Sequence, residues 1–154
     1  MPTYAKGTEV TSSRSREEIE RTLLRYGADA FAYATSRERA MVEFSANGRR
    51  IRFLLPLPDP SSPQFTRTPT GRERSATAAR DEWEKGTRQA WRSLALLVKA
   101  KLEAVESGIV TFEAAFLAHT VLPSGSTVAD EVEPQIRDAY AGGQVAPLQI
   151  TTGP

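Results

Sequence analysis

The stretch RAMVEFSANGRRIRFLL (residues 39–55) decides the fold, because two alternating segments meet in it at Asn47-Gly48. Asn-Gly between such segments is the strongest short signal of a two-residue β-hairpin turn, here joining strands of about 39–46 and 49–57. Counting outward from the turn gives the facing pairs Ala46/Arg49, Ser45/Arg50, Phe44/Ile51, Glu43/Arg52 and Val42/Phe53. The two wholly apolar pairs fall on one face and the charged pair on the other, which predicts a half-buried antiparallel sheet.

A helix and a further strand are predicted before this hairpin. AFAYAT (30–35) has the pattern of a short strand, and a polar break at Ser36-Arg37-Glu38 separates it from the next one. Upstream, Ser15 and Glu18 have the spacing of a capping box, which predicts a helix that begins at Ser15. Gly27 is well placed to end that helix.

After the hairpin the sequence predicts a loop and then a long helix. Five prolines between residues 56 and 69, with little periodicity, indicate a long extended loop over 58–75. A helix of about 30 residues follows, from near Ala76 to Ser107. On a helical wheel its apolar stripe comprises Trp83, Ala90, Leu94, Leu97, Val98 and Val105. A different side of the helix carries the cations Lys85, Arg88, Arg92 and Lys99.

Short elements are predicted toward the C-terminus. Thr111 can cap a short helix over 112–119, and residues 121–128 have the composition of a small hairpin or loop around Ser124-Gly125. A last helix covers about 134–141, with proline near its first turn and glycines after its end. The whole order is α+β, with a helix, a three-stranded antiparallel sheet, a basic proline-rich loop, a long helix and short C-terminal helices.

The composition favours one compact domain. The chain has 154 residues, of which 40% are hydrophobic, and we expect a single domain over 1–154 with flexible ends at 1–14 and 143–154. It contains no cysteine, which excludes disulfides and thiolate metal sites. No run of about 18 apolar residues and no secretory signal are present, so we expect no membrane partner and a cytoplasmic location.

Charge is divided unevenly along the chain. The first 101 residues carry a net charge of +7 and the last 53 carry −6, which together give the formal net charge of +1. Such asymmetry predicts a basic surface for a polyanion and an acidic C-terminal part that limits nonspecific binding or meets a basic partner.

Several segments carry a resemblance to a known family. These are YAKGT (4–8), GRRIRFLLPLPDP (48–60), FTRTPTGRERS (65–75) and WEKGTRQAWRSL (83–94). In them the sequence resembles a family of small uncharacterised proteins encoded by phages and prophages of high-GC bacteria. The resemblance implies a phage context, the cytoplasm of a bacterial host, and roles in replication, recombination or counter-defence. It implies no catalytic or binding residue.

Three basic segments supply the candidate site for nucleic acid or phosphate. Guanidinium groups contact phosphates strongly and without sequence preference. The candidate residues are Arg49, Arg50 and Arg52 of the hairpin, Arg67, Arg72 and Arg74 of the loop, and Arg88 and Arg92 of the long helix. The alternative for each segment is structural: an Arg52–Glu43 pair across the strands, a disordered linker, and acid-first ion pairs on the helix from Asp81 to Lys85 and from Glu84 to Arg88.

The remaining candidate residues favour structural roles. Trp83 and Trp91 could stack on bases, but aromatic residues at helical spacing more often fill cores. His119 is the only histidine and has no nucleophile motif nearby, so we expect no catalytic residue, no metal site and no cofactor. The acids of 81–84 and 129–133 are compatible with a divalent ion or with solvated helix starts.

The leading interpretation is a non-enzymatic accessory protein that binds nucleic acid through its basic surface. The order of elements is similar to that of double-stranded-RNA-binding domains, although no lysine motif of that family is present. The first alternative is an oligomeric protein that sequesters a phosphorylated nucleotide signal of host defence. The second is an interaction or assembly module, with a possible homo-oligomer formed through the long helix.

Overall fold

The computed structural model describes residues 3–143, with side chains from Ser13 onward, and shows the α+β order predicted from the sequence. The elements are α1 Thr3–Arg25, β1 Ala30–Thr35, β2 Arg39–Ala46, β3 Arg49–Pro56, α2 Pro63–Thr66, α3 Ala76–Glu106, α4 Phe112–Ala115, a 3₁₀ turn Leu117–His119, and α5 Val128–Gly142. Residues 144–154, which include nearly all of the predicted flexible C-terminal end, lie outside the described residues.

The three strands form one antiparallel sheet in the order β1-β2-β3. All five facing pairs predicted from the Asn47-Gly48 turn are present, from Ala46/Arg49 to Val42/Phe53. Both turn residues have positive φ, 53° for Asn47 and 72° for Gly48, as a two-residue turn of this hand requires. The predicted register is therefore confirmed.

One face of the sheet carries the core. Helices α1 and α3 pack on this face and against each other. Tyr26 at the end of α1 lies beside Glu106 at the end of α3, while Arg16 lies over Tyr33, which contacts Trp91. The two helices therefore run in the same direction. The largest fully buried side chains among the described residues come from α1, α3, the sheet and the region after α4: Trp91, Phe44, Phe116, Ile19, Leu23, Ile51, Val42 and Val98.

The buried side of α3 differs from the predicted stripe. The buried residues of α3 are Thr87, Trp91, Leu94, Ala95, Val98 and Leu102. Leu97, placed in the predicted stripe, is 44% exposed, whereas Trp91 is 1% exposed. Helix α3 is covered by α1 as well as by the sheet. Its buried side is therefore rotated from the predicted stripe toward Ala95 and Leu102.

Two helix starts were wrong in the sequence prediction. Helix α1 begins at Thr3, so the Ser15 and Glu18 pair lies inside the helix and is no capping box. Helix α5 begins at Val128 with a capping box of Thr127 and Asp130, so Pro134 is inside it. None of the described helices is both long and apolar enough to cross a membrane.

The proline-rich segment is ordered rather than extended. Asp59 accepts hydrogen bonds from the amide and hydroxyl of Ser61, and the one-turn helix α2 follows. Residues 66–74 then form a small hairpin. Phe65 is buried between this segment and α3 and packs against Gly86. A Cβ atom at position 86 would lie 3.0 Å from the phenyl ring. Gly86 thus makes room for the ring that fixes the loop.

We expect Phe65→Ala to lower the free energy of unfolding by about 3 kcal/mol, because it leaves a cavity under the loop. Urea denaturation followed by circular dichroism measures this. Leu54→Ala is the control, since Leu54 is 52% exposed on the other sheet face and its truncation should change stability by no more than about 0.5 kcal/mol. Equal effects of the two substitutions would contradict a structural role for Phe65.

Candidate ligand-binding cleft

The basic hairpin is largely occupied by an internal ion pair. The Nε of Arg52 lies 2.6 Å from Oε1 of Glu43, and its Nη1 donates to the carbonyl of Gly125 at 2.8 Å. Arg50, with a half-exposed side chain, is 3.4 Å from the same carboxylate. The cross-strand Arg52–Glu43 ion pair, which was the structural alternative for Arg52, is therefore present. Arg49, within the described part of the chain, has no polar partner for its side chain.

The loop arginines divide in the same way. Arg67 donates to the carbonyl of Gly71, and Arg74 donates to the carbonyls of Gln64 and Phe65, each at 3.1 Å. These two guanidinium groups hold the loop in place. Arg72 is exposed, and no side-chain partner for it is found among residues 13–143.

The cations of α3 lie on an exposed side of the helix, as predicted. Lys85 pairs with Glu82 at 3.4 Å rather than with Asp81, so the predicted acid-first pair is absent there. Arg88 and Arg92 are exposed and have no ion pair with another described residue. Of the eight predicted arginines, these two, Arg49 and Arg72 keep unpaired side chains.

Two of the unpaired arginines, Arg49 and Arg72, belong to segments at opposite ends of β3. Arg49 begins β3 at the Asn47-Gly48 end of the sheet, whereas the loop that carries Arg72 follows the opposite end of β3. Binding of nucleic acid through all eight residues stays a prediction, and the surface left for it is smaller and more divided than the sequence indicated.

A cleft of about 440 Å³ lies at the end of the sheet where β1 turns into β2. Its walls come from that turn, from the chain after β3 and from the N-terminal half of α3. The lining residues are Thr35, Ser36, Arg37, Leu57, Pro60, Ala76, Ala79, Arg80, Trp83 and Thr87. Its size falls in the range of small-molecule sites, which is about 300–1,000 Å³.

Positive charge borders this cleft. Arg37 and Arg80 are among its lining residues, and no acid is. The first turn of α3, at the positive end of the helix dipole, contributes Ala76 and Ala79. Arg37 is held in a two-residue connection, because the amide of Ser36 donates to the carbonyl of Arg39 at 2.8 Å. The charged side chains that line the cleft are therefore both cationic.

One of the residues that line the cleft, Thr87, has a buried hydroxyl. Thr87 is 3% exposed, and its Oγ1 has no hydrogen-bond partner in the described structure. A buried polar atom without a partner costs about 1–3 kcal/mol, so such atoms are rare and call for an explanation.

The two tryptophans have different environments. Trp91 is in the core, as predicted. Trp83 is only partly buried, lines the cleft, and donates from Nε1 to the carbonyl of Pro58 at 2.7 Å. That bond fixes the indole as a wall between the helix and the chain after β3.

Sequence reasoning missed the cleft. Arg37 was assigned to a polar break, Arg80 was not singled out, and Thr87 is one of two threonines in α3 with no sequence signal that distinguishes it. The three lie in segments that only the packing of α3 beside the β1–β2 turn brings together. The one local signal was a charged residue, Arg37, in a very short turn.

His119 is a packing residue in this structure. Its ring stacks on Phe53 with centroids 4.2 Å apart, and it is half-buried. Burial, followed by the nearby charge of Lys101, lowers the pKa of the imidazole from its ordinary 6.5. Among the described residues no group of three or more His, Cys, Asp or Glu could hold a metal ion.

The described structure is therefore an α+β protein with a cleft at one end of its sheet, and two arginines are among the residues that line this cleft. Comparisons of the chain with protein-family models, with curated proteins and with solved structures found no match.

We expect the free energy of unfolding to fall as pH drops from 7.5 to 5.5. The unfolded chain binds a proton at His119 near pH 6.5, while the folded protein resists protonation to lower pH, so acid favours unfolding. Urea denaturation at both pH values measures the difference. The variant His119→Gln should show a smaller drop, and an unchanged drop would assign the effect to other groups.

Proposed function

We propose that this protein binds a small phosphorylated molecule, of the nucleotide class, in the cleft between the β1–β2 turn and α3. The observation that carries the proposal is the buried, unpartnered hydroxyl of Thr87 in the wall of a cleft bordered by two guanidinium groups. The proposal is one of binding and includes no reaction step.

The charged part of such a ligand suits the rim of the cleft. Guanidinium groups form paired hydrogen bonds with phosphate oxygens, and such charge-assisted bonds are roughly twice as strong as neutral ones. Arg37 and Arg80 supply these groups from two elements, so one phosphate could bridge the turn and the helix. The N-terminal end of α3 adds the partial positive charge that favours anions.

The rest of the ligand suits the walls. Leu57, Pro60 and Trp83 give the cleft apolar surface on which a planar ring can lie. The Thr87 hydroxyl can donate to or accept from one polar atom of that ring. An apolar body with a few placed polar groups is the usual character of a small-molecule site.

This proposal takes up the sequestration alternative in place of the polymer-binding one. Four of the eight predicted arginines are engaged within the protein, which supports a small ligand over a long polyanion. Binding of a small nucleotide and binding of a nucleic-acid polymer differ in salt dependence. Because a polymer site neutralises many phosphates, its affinity falls more steeply as salt is added.

We expect a purine mononucleotide at about 100 times its dissociation constant to stabilise the protein by about 2.7 kcal/mol, which raises Tm by roughly 5–10 °C. Differential scanning fluorimetry should show a larger shift for the nucleotide than for adenosine or inorganic phosphate alone, because each fills only part of the cleft. A shift with single-stranded DNA that vanishes in high salt, and none with any nucleotide, would favour polymer binding instead.

Two substitutions test the site itself. Thr87→Val removes the hydroxyl and keeps the shape, so the unliganded protein should gain about 1 kcal/mol of stability while nucleotide affinity falls. Arg37→Ala should weaken binding by about tenfold or more, since it removes a charge-assisted contact worth at least about 1.5 kcal/mol. Arg39→Ala is the matched control, because Arg39 is exposed two residues away and does not line this cleft. Calorimetry that gives equal losses for Arg37→Ala and Arg39→Ala would overturn the assignment.

A further inference from the structure

Helix α5 is packed on the rest of the molecule only near its start. It follows the hairpin of residues 121–127 and contacts the 3₁₀ turn Leu117–His119. Every residue from Asp130 to the end of the helix is exposed. The helix therefore projects away from the core that α1, α3 and the sheet share.

The exposed part of α5 is amphipathic. Val132, Ile136 and Tyr140 recur every four residues, which places them on one side, and they are 38%, 46% and 65% exposed. A short helix in water is marginal without tertiary packing, and Pro134 removes one of its hydrogen bonds. An apolar stripe of this kind on a projecting helix is typical of a surface that another molecule covers.

Charge indicates what covers it. Helix α5 contains four acids and one base, and Glu131 and Glu133 flank Val132 on either side of the stripe. The outer side of α3 has the opposite character: Arg92, Leu96 and Lys99 are neighbours on it, and Leu96 is 58% exposed. This chain thus carries an acidic apolar stripe and a basic surface with an exposed leucine.

We infer that α5 of one copy docks on the outer side of α3 of a second copy. Two such contacts related by a twofold axis make a closed dimer and bury twice the area of one contact. The pairing places acids of one copy against Arg92 and Lys99 of the other and covers Leu96 and Ile136 together. The inference concerns a surface separate from the ligand cleft and does not depend on it.

Light scattering after size-exclusion chromatography tests the dimer directly. The wild-type chain is expected at twice the monomer mass at micromolar concentration, and Ile136→Glu at the monomer mass, because it places a charge in the contact. Leu54→Glu is the matched control: Leu54 is 52% exposed, on the outer face of the sheet, and this variant should stay dimeric. Far-ultraviolet circular dichroism checks that all three are folded.

Charge reversal tests the docking site on α3. The variants Arg92→Glu/Lys99→Glu and Glu131→Lys/Glu133→Lys should each be monomeric alone, because like charges then meet. An equimolar mixture of the two should form a dimer, since opposite charges meet again in both contacts. A monomeric wild-type chain at all concentrations, or a dimer unaffected by Ile136→Glu, would overturn the inference. Failure of the mixture to dimerise would overturn α3 as the docking site.

Discussion

The register of the β2–β3 hairpin is the constraint on which the rest of the structure depends. Side chains alternate between the two faces of a strand, so a slip of one residue would turn Phe44, Val42 and their partners out of the core. The Asn47-Gly48 turn prevents such a slip, because both residues adopt the positive φ that a two-residue turn demands. With this register set, Val42, Phe44, Ile51 and Phe53 lie together on one face of the sheet, and α1 and α3 can bury their own apolar sides against it.

The same alternation decides where charge can go. It places Glu43 on the outer face opposite Arg52 and near Arg50, where one carboxylate pairs with two guanidinium groups. Such pairs contribute little to stability, but they leave these arginines less available to a polyanion. Other arginines lie outside the sheet, in the β1–β2 turn and along α3. The candidate cleft lies at the end of the sheet, between the β1–β2 turn and Leu57 on one side and α3 on the other.

The hairpin, the strand bounds and the long helix could be predicted because each rests on a local signal: a turn dipeptide, an alternating pattern, or a long run of helical periodicity. The start of α1 could not, because the Ser15/Glu18 spacing that marks a capping box is equally compatible with a helix interior. The buried side of α3 was misplaced because two neighbours, the sheet and α1, share it. The cleft was out of reach for the same reason, since its residues come from three separate segments and acquire meaning only through packing. Basic residues were easy to find, but the sequence does not say which of them are held by backbone carbonyls, as Arg74 is.

The two proposals rest on departures from an otherwise self-consistent core. Sixteen hydrophobic residues are buried without strain at positive φ, and the non-glycine residue with positive φ in the described chain is Asn47, whose turn requires it. Against that background, an unpartnered hydroxyl at Thr87 and an exposed apolar stripe on α5 are costs that the isolated chain does not offset. Neither is needed to form the core: valine would fill the space of Thr87, and polar residues would suit an exposed helix better than Val132 and Ile136. Features that lower the stability of the free monomer and are unnecessary for its fold are expected where a second molecule offsets their cost. At Thr87 the cleft has room for a small ligand, and at α5 the open stripe has room for another helix.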